Sequence, residues 1–207
     1  GAVWGYNGSA GGIDITWEYH IMMNEFRKRP KIAGFLFTEF HDVVNEWNGY
    51  YRFDRSNKIF GLDELVSGMK MNDFHKDLYV VAGKDFYQRY DGGSKVEIPI
   101  GISAVTTNIP DDIKISWSVY VWNSLEDKFQ YAAGEVDAEA EPFAFTKLSP
   151  VEITTPNKTA VMIFATELTA ENGDVIQRNF VPFKVNGEQP EQGIILTQAP
   201  NKFTGAE

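Results

Sequence analysis

No cysteine occurs in the 207 residues. That absence removes disulfides, thiolate nucleophiles and cysteine-type zinc sites, and it leaves the redox compartment open. Histidine is nearly as scarce, and three residues give metal chemistry little material. Positive charge is the minority sign, 19 Lys and Arg against 29 Asp and Glu, for a net charge of -10 and a pI near 4.8. Such a chain repels phosphate backbones, and no Lys/Arg block or basic helix face offsets the repulsion locally, so no nucleic-acid partner is expected. Long apolar runs are missing as well. None approaches the roughly 20 residues that span a bilayer, so no membrane partner is expected either. The opening "GAVWGYNGSAGG" lacks the basic and apolar regions of a signal peptide. It reads as the middle of a domain, and the expectation is a sequence cut from something longer. What is present is a composition 43% hydrophobic and 14% aromatic, enough to bury one good core or two small ones.

The pattern along the chain changes once. In "DITWEYHIMMNEFRKR" the residues Ile15, Tyr19, Met22, Met23 and Phe26 recur at helical spacing. Asp14 is a plausible N-cap there, Arg27, Lys28 and Arg29 suit the C-terminal end, and Pro30 stops the run, which predicts a helix over 14–29. "KIAGFLFTEF" is too short and too evenly apolar for an amphipathic helix, and predicts a strand over 32–40 covered on both faces. A loop rich in Asn, Gly, Tyr and Trp follows, and then a helical pattern over 62–75 interrupted by Gly68. From about residue 77 the period becomes two. In "KVEIPIGISAV" Val96, Ile98, Ile100 and Ile102 alternate with other residues, and in "IKISWSVYVW" Ile113, Ile115, Trp117, Val119 and Val121 form an apolar face. Further strand candidates are "DLYVVA", "KFQYAAGEV", "FAFTKL", "SPVEITTP", "KTAVMIFATELTA" and "VIQRNFVPFKV", separated by turn signals such as Asn172-Gly173. Short strands in succession without a helix between them predict an immunoglobulin-like antiparallel sandwich over 77–187. Its expected core holds Val96, Ile98, Ile100, Ile115, Trp117, Val119, Val161, Ile163, Phe183 and Val185. Residues 188–207 read as a tail, the start of a further domain.

The loop after residue 34 holds the chemistry-bearing residues. Glycoside cleavage uses two carboxyls roughly 5 to 9.5 Å apart, with aromatic faces to hold the ring. Glu39, Asp42, Glu46 and Asp54 offer carboxyls, and Phe37, Trp47, Tyr50 and Tyr51 offer faces. On a strand Phe35, Phe37, Glu39 and His41 share one side, so Glu39 and His41 would emerge together where it ends. The plainer alternative is that polar residues mark where the strand meets water. A metal set from Glu39, His41 and Asp42 is disfavoured, because Asp42 points to the other face while the strand continues. His20 and His75 read as packing or surface residues. "GYNGSAGG" fits neither a nucleophile elbow nor a dinucleotide loop, and no cofactor is expected.

Taken together, residues 14–61 resemble the end of the catalytic barrel in glycoside hydrolase family 2, the family of β-galactosidases, β-glucuronidases and β-mannosidases. The resemblance rests on Glu25-Phe26-Arg27-Lys28-Arg29-Pro30, on Ile32-Ala33-Gly34-Phe35 leading into Thr38-Glu39, on Asp42, on Asn48-Gly49, and on Asp54-Arg55-Ser56 with Lys58. It implies an α+β fragment in which residues 1–76 end a (β/α)8 barrel and the sandwich follows directly. It also implies a carbohydrate partner for the parent enzyme, with Phe37, Glu39, His41, Trp47 and Asn48 as substrate-binding residues at the barrel mouth. The family's acid/base and nucleophile carboxylates would both precede Gly1, so no catalytic residue is expected in this chain. The family further implies a bacterial protein, periplasmic or secreted. The alternative is a non-catalytic sandwich that binds glycan through exposed Trp122, Tyr120 and Tyr131, or is purely structural. Either way, the apolar strand over 32–40 needs cover. Met22, Met23, Phe26, Leu65 and Met69 are expected on one face, and the sandwich or a second copy of the chain on the face bearing Phe35 and Phe37, with a homodimer favoured.

Overall fold

A computed structural model describes residues 16–188 apart from 45, 59, 86, 87 and 123–127. The period-two half of the chain forms two facing β layers. One layer joins β1 (Leu78–Ala82), β4 (Ile100–Ala104) and β7 (Phe145–Lys147), continued by β3 (Lys95–Ile98) paired with β8 (Val151–Thr154). Pro99 has no N–H to give a ladder, so it divides what would be one strand into β3 and β4. The bond from Leu148 N to Ile100 O, 3.0 Å, carries the pairing across the break. The other layer runs β2 (Gln88–Asp91), β10 (Val175–Asn186), β9 (Ala160–Ala170), β5 (Ile113–Trp122) and β6 (Lys128–Ala138). β2 lies parallel to β10, and the remaining pairs are antiparallel. The chain is therefore mostly β, a sandwich whose pairing is compatible with an immunoglobulin-like fold. Strand β2 lies where the sequence reading placed none.

Two cores hold this architecture. Between the layers, alternate residues of each strand meet: Leu78 and Val80, Ile98, Ile100 and Ile102, Ile115 and Val119, Met162 and Phe164, Phe183 and Val185. The second core lies on the outer side of the five-stranded sheet and of β1. Tyr79, Val81, Trp122, Ile163, Ala165 and Phe180 are covered there by the N-terminal part of the chain. That cover comprises α1 (Thr16–Arg27), α2 (Leu62–Leu65) and a 3-10 turn (Met71–His75), contributing Tyr19, Met23, Leu62, Leu65, Val66, Met69 and Phe74. A buried polar network fixes the docking. His20 Nε2 donates to Asn179 Oδ1 at 2.8 Å, and Asn179 Nδ2 donates to Val80 O at 2.6 Å and to Asn24 Oδ1 at 3.0 Å. Gln177 accepts from Val80 N at 3.1 Å, and Asp73 accepts from Arg178 N at 2.9 Å. Each bond joins the helical cover to the sandwich or braces the strands beneath it.

Several expectations are corrected. Residues 32–40 form no strand and enter no ladder among the described residues, and Leu36 is 99% exposed. A buried parallel strand needs a neighbour along both edges, and no described strand of this chain supplies one. The helices expected to cover that segment pack on the sandwich instead. Met23, Leu65 and Met69 are buried in the second core, with Met22 and Phe26 at its margin. The helix expected over 62–75 is two short pieces, because Gly68 turns the chain with φ +78, at a place where a Cβ would lie 3.1 Å from Arg178 Cζ. Val161 and Ile163 face the second core, not the first. Strand β9 is apolar on both sides, so period two could not say which side faced which core. Among the described residues no helix is long and apolar enough to cross a membrane.

Candidate functional site

The expected site residues lie in one loop, and the chain knots that loop around Asp42. Its carboxylate is wholly buried; Oδ1 accepts from Lys58 Nζ at 2.6 Å and from Gly49 N at 2.9 Å. Lys58 Nζ also donates to Trp47 O at 2.6 Å. Gly49 is required at its position, because a Cβ there would lie 2.4 Å from His41 C. The backbone closes the knot through Asp42 N to Tyr51 O, 2.9 Å, and Tyr51 N to Phe40 O, 3.2 Å. Two buried charges in contact need such surroundings, since either one alone would carry an uncompensated desolvation cost.

Around the knot, Asn48 Nδ2 donates to Thr38 O at 2.7 Å, which draws Asn48 beside the Thr38–Glu39 peptide. Phe37 stacks on Tyr50 with centroids 4.6 Å apart, and both rings pack edge-on against Tyr19 at 4.9 and 5.4 Å. Tyr19 reaches His75 Nε2 at 3.0 Å and accepts from Tyr50 at 2.5 Å. Burial pushes the Tyr19 hydroxyl up to about 12 and raises that of Tyr50 further, so both remain protonated donors. Phe35 stays exposed beside Phe26 and His75. Phe37, expected on the sandwich or on a second copy of the chain, lies at the margin of the second core that the sandwich shares. There it closes the aromatic cluster.

The loop sets Asn48 beside the Thr38 carbonyl and Phe37 on Tyr50, and two of its carboxylates are engaged within it. Asp42 is committed to Lys58, and Asp54 braces its own turn by accepting from Ser56 N at 2.9 Å and Ser56 Oγ at 2.6 Å. His41 Nδ1 lies 2.8 Å from Asp42 O, a local contact. The set Glu39, His41 and Asp42 is not brought together, and no group of three or more His, Asp or Glu could hold a metal among the described residues. Glu39 Oε1, Asp42 Oδ2, Trp47 Nε1 and Asn48 Oδ1 are shielded from solvent without a hydrogen-bond partner. Four such atoms within ten positions give this loop a capacity for polar contacts that the described residues leave unused. The alternative aromatic platform is not assembled. Trp122 is only 5% exposed and lies in the second core, which leaves Tyr131 exposed and Tyr120 partly covered. Sequence reading missed Tyr19 and His75 as partners of Tyr50, because helical spacing explains both and nothing local links positions 56 residues apart.

No protein-family model matches the chain, and no curated protein matches it. Solved structures give loose likenesses. The sporulation control protein Spo0M from Bacillus subtilis matches at 13% identity and a TM-score of 0.35, over 54% of this chain and 49% of that one. Murine CRIg matches at 8% identity and 0.32, over 55% and 99%. A family 76 glycoside hydrolase from a bovine Bacteroides thetaiotaomicron strain matches at 14% identity and 0.29, over 50% and 20%. This chain thus spans about half the length of the first and a fifth of the third. At these scores none of them carries an argument.

Proposed function

We propose that the chain is the C-terminal part of a glycoside hydrolase resembling family 2, acting on β-linked sugars, with hydrolysis belonging to the longer parent. The observation that carries this reading is the segment 32–40, rich in apolar residues, largely exposed, and outside any strand ladder among the described residues. It is what the last strand of a barrel would be without its companions in place. The rim it leads into agrees with that reading: Glu39, Trp47 and Asn48 hold unused polar atoms in the same loop as the Phe37 ring, the mixture by which sugar hydroxyls and ring faces are held. The residues of the resemblance have work here too, since Asp42, Gly49 and Lys58 make the knot and Asp54 and Ser56 its following turn. A homodimer through segment 32–40 belongs to the same reading, as a way for this piece alone to cover the apolar face.

Comparing this chain with a version extended upstream in its reading frame tests the proposal. Residues 1–207 are expected to leave aryl β-galactoside, β-glucuronide and β-mannoside intact, and the extended protein to hydrolyse one of them. Turnover by residues 1–207 that disappears in Glu39→Gln would overturn the reading. So would an upstream frame without an Asn-Glu pair followed later by a strand-ending Glu.

A further inference from the structure

The aromatic cluster behind Phe37 is held by hydroxyls that end on a titratable ring. Tyr50 donates to the Tyr19 oxygen, so the proton of Tyr19 is directed at His75 Nε2, 3.0 Å away. Neutral His75 accepts there and carries its own proton on Nδ1. The arrangement joins separate parts of the chain, Tyr19 on α1, Tyr50 in the loop and His75 at the end of the 3-10 turn, with the His75 ring 5.5 Å from Tyr50 and 5.8 Å from Tyr19. Tyr19 is 1% exposed, so its hydroxyl has no route to water as a substitute acceptor. A proton on His75 Nε2 would turn that atom from acceptor to donor. Tyr19 would then either face two donors with its own proton unsatisfied, or turn that proton onto Tyr50 and leave the Tyr50 hydroxyl without its acceptor.

We propose that His75 is a proton-controlled latch on the Phe37–Tyr50 wall: neutral, it holds Tyr19 and through it Tyr50; protonated, it releases them and the loop over 37–52 loosens. The groups facing His75 do not offset the change. Burial holds the ring below its ordinary range, and the positive charge of Arg27 on α1 adds to that. Tyr19 and Tyr50 stay neutral, their hydroxyls raised by burial. Because the latched ring resists protonation, the latch is complete above the ordinary histidine range and is lost as pH falls through the lowered value. This holds whether or not the wall faces a sugar.

Amide hydrogen exchange at Asp42, Gly49 and Tyr51, corrected for intrinsic rates, reads the latch at about pH 7.5 and about pH 5. In the unaltered chain these amides are expected to lose protection severalfold at the lower pH, while those of β5 and β9 do not. His75→Gln presents a carbonyl that accepts from Tyr19 at either pH, so protection should become independent of pH at the high level. Tyr19→Phe breaks the chain of bonds and should make protection independent of pH at the low level. Protection unaffected by pH in the unaltered chain, or a pH dependence that survives in His75→Gln, would overturn the proposal. Unchanged exchange in β5 and β9 confirms that each variant is folded.

Discussion

A single buried contact sets the shape of the candidate site. Lys58 and Asp42 meet at 2.6 Å with side chains 3% and 0% exposed, so removing one leaves the other charged and dry. Lys58→Met is expected to cost about 3 to 5 kcal/mol at the loop, and Asp42→Leu combined with Lys58→Met to recover most of it. Protection of the Tyr51 amide is the measurement, and a double variant as damaged as the single one would refute the account. His20 gives a second prediction. Burial pulls its pKa down to about 4 while the stacked Phe180 ring, 4.0 Å away, and Asn179 hold it in place. The unfolded chain takes up this proton near pH 6.5 and the native one only near 4, so stability falls as pH drops through that window. The loss should be on the order of 2 kcal/mol by about pH 5. His20→Gln should remove that share of the slope in denaturation curves measured across the window.

Strands β5 and β9 show how an element's two faces divide the labour. Ile115, Val119 and Phe164 lie between the layers, whereas Trp122 and Ile163 lie under the helical cover. Trp117, expected as a fully buried core residue, is half-buried, lying over Gly134 and stacked on Phe164 at 5.7 Å. Strand β6 is the edge of its sheet, and among the described residues no strand lies beyond it. Trp117→Ala should therefore cost less than Phe164→Ala, for which about 3 to 5 kcal/mol is expected from a wholly buried ring. Equilibrium denaturation of both variants checks the order. A reversed order would mean that Trp117 is better covered than its place suggests.

On the scale of the whole molecule, the helical cover and the sandwich share one buried seam. A chain beginning at residue 77 would expose Tyr79, Val81, Ile163, Phe180 and Trp122, and would leave the polar side chains of Asn179 and Gln177 without partners from α1 and the 3-10 turn. Burial of this apolar surface is a large part of a small domain's margin of stability, so the shortened chain is expected to unfold at lower denaturant or to associate. Sedimentation and urea denaturation of the two lengths test this. Equal midpoints for both would show the seam to be incidental.

The sequence by itself determined the local grammar. Period two placed nine of the ten strands, leaving only β2 unforeseen, and Pro30 and Gly68 marked the end of one helix and the break in another. These are short-range effects: backbone sterics, proline's missing donor and alternation on a pleat act between neighbours. The loop's residues were legible as a cluster for the same reason, since Phe37, Glu39, His41, Trp47 and Asn48 stand close together in the chain. Only the tertiary structure decided which partner each would take. Asp42 went to Lys58, 16 positions on, Tyr19 to His75, 56 away, and His20 to Asn179, 159 away. A strand's composition states that both its faces want burial, but not what will cover them. For β9 the chain supplied both covers, and for residues 32–40 it supplied no ladder partner among the described residues and covered chiefly Phe37, because pairing and burial depend on which surfaces meet in space.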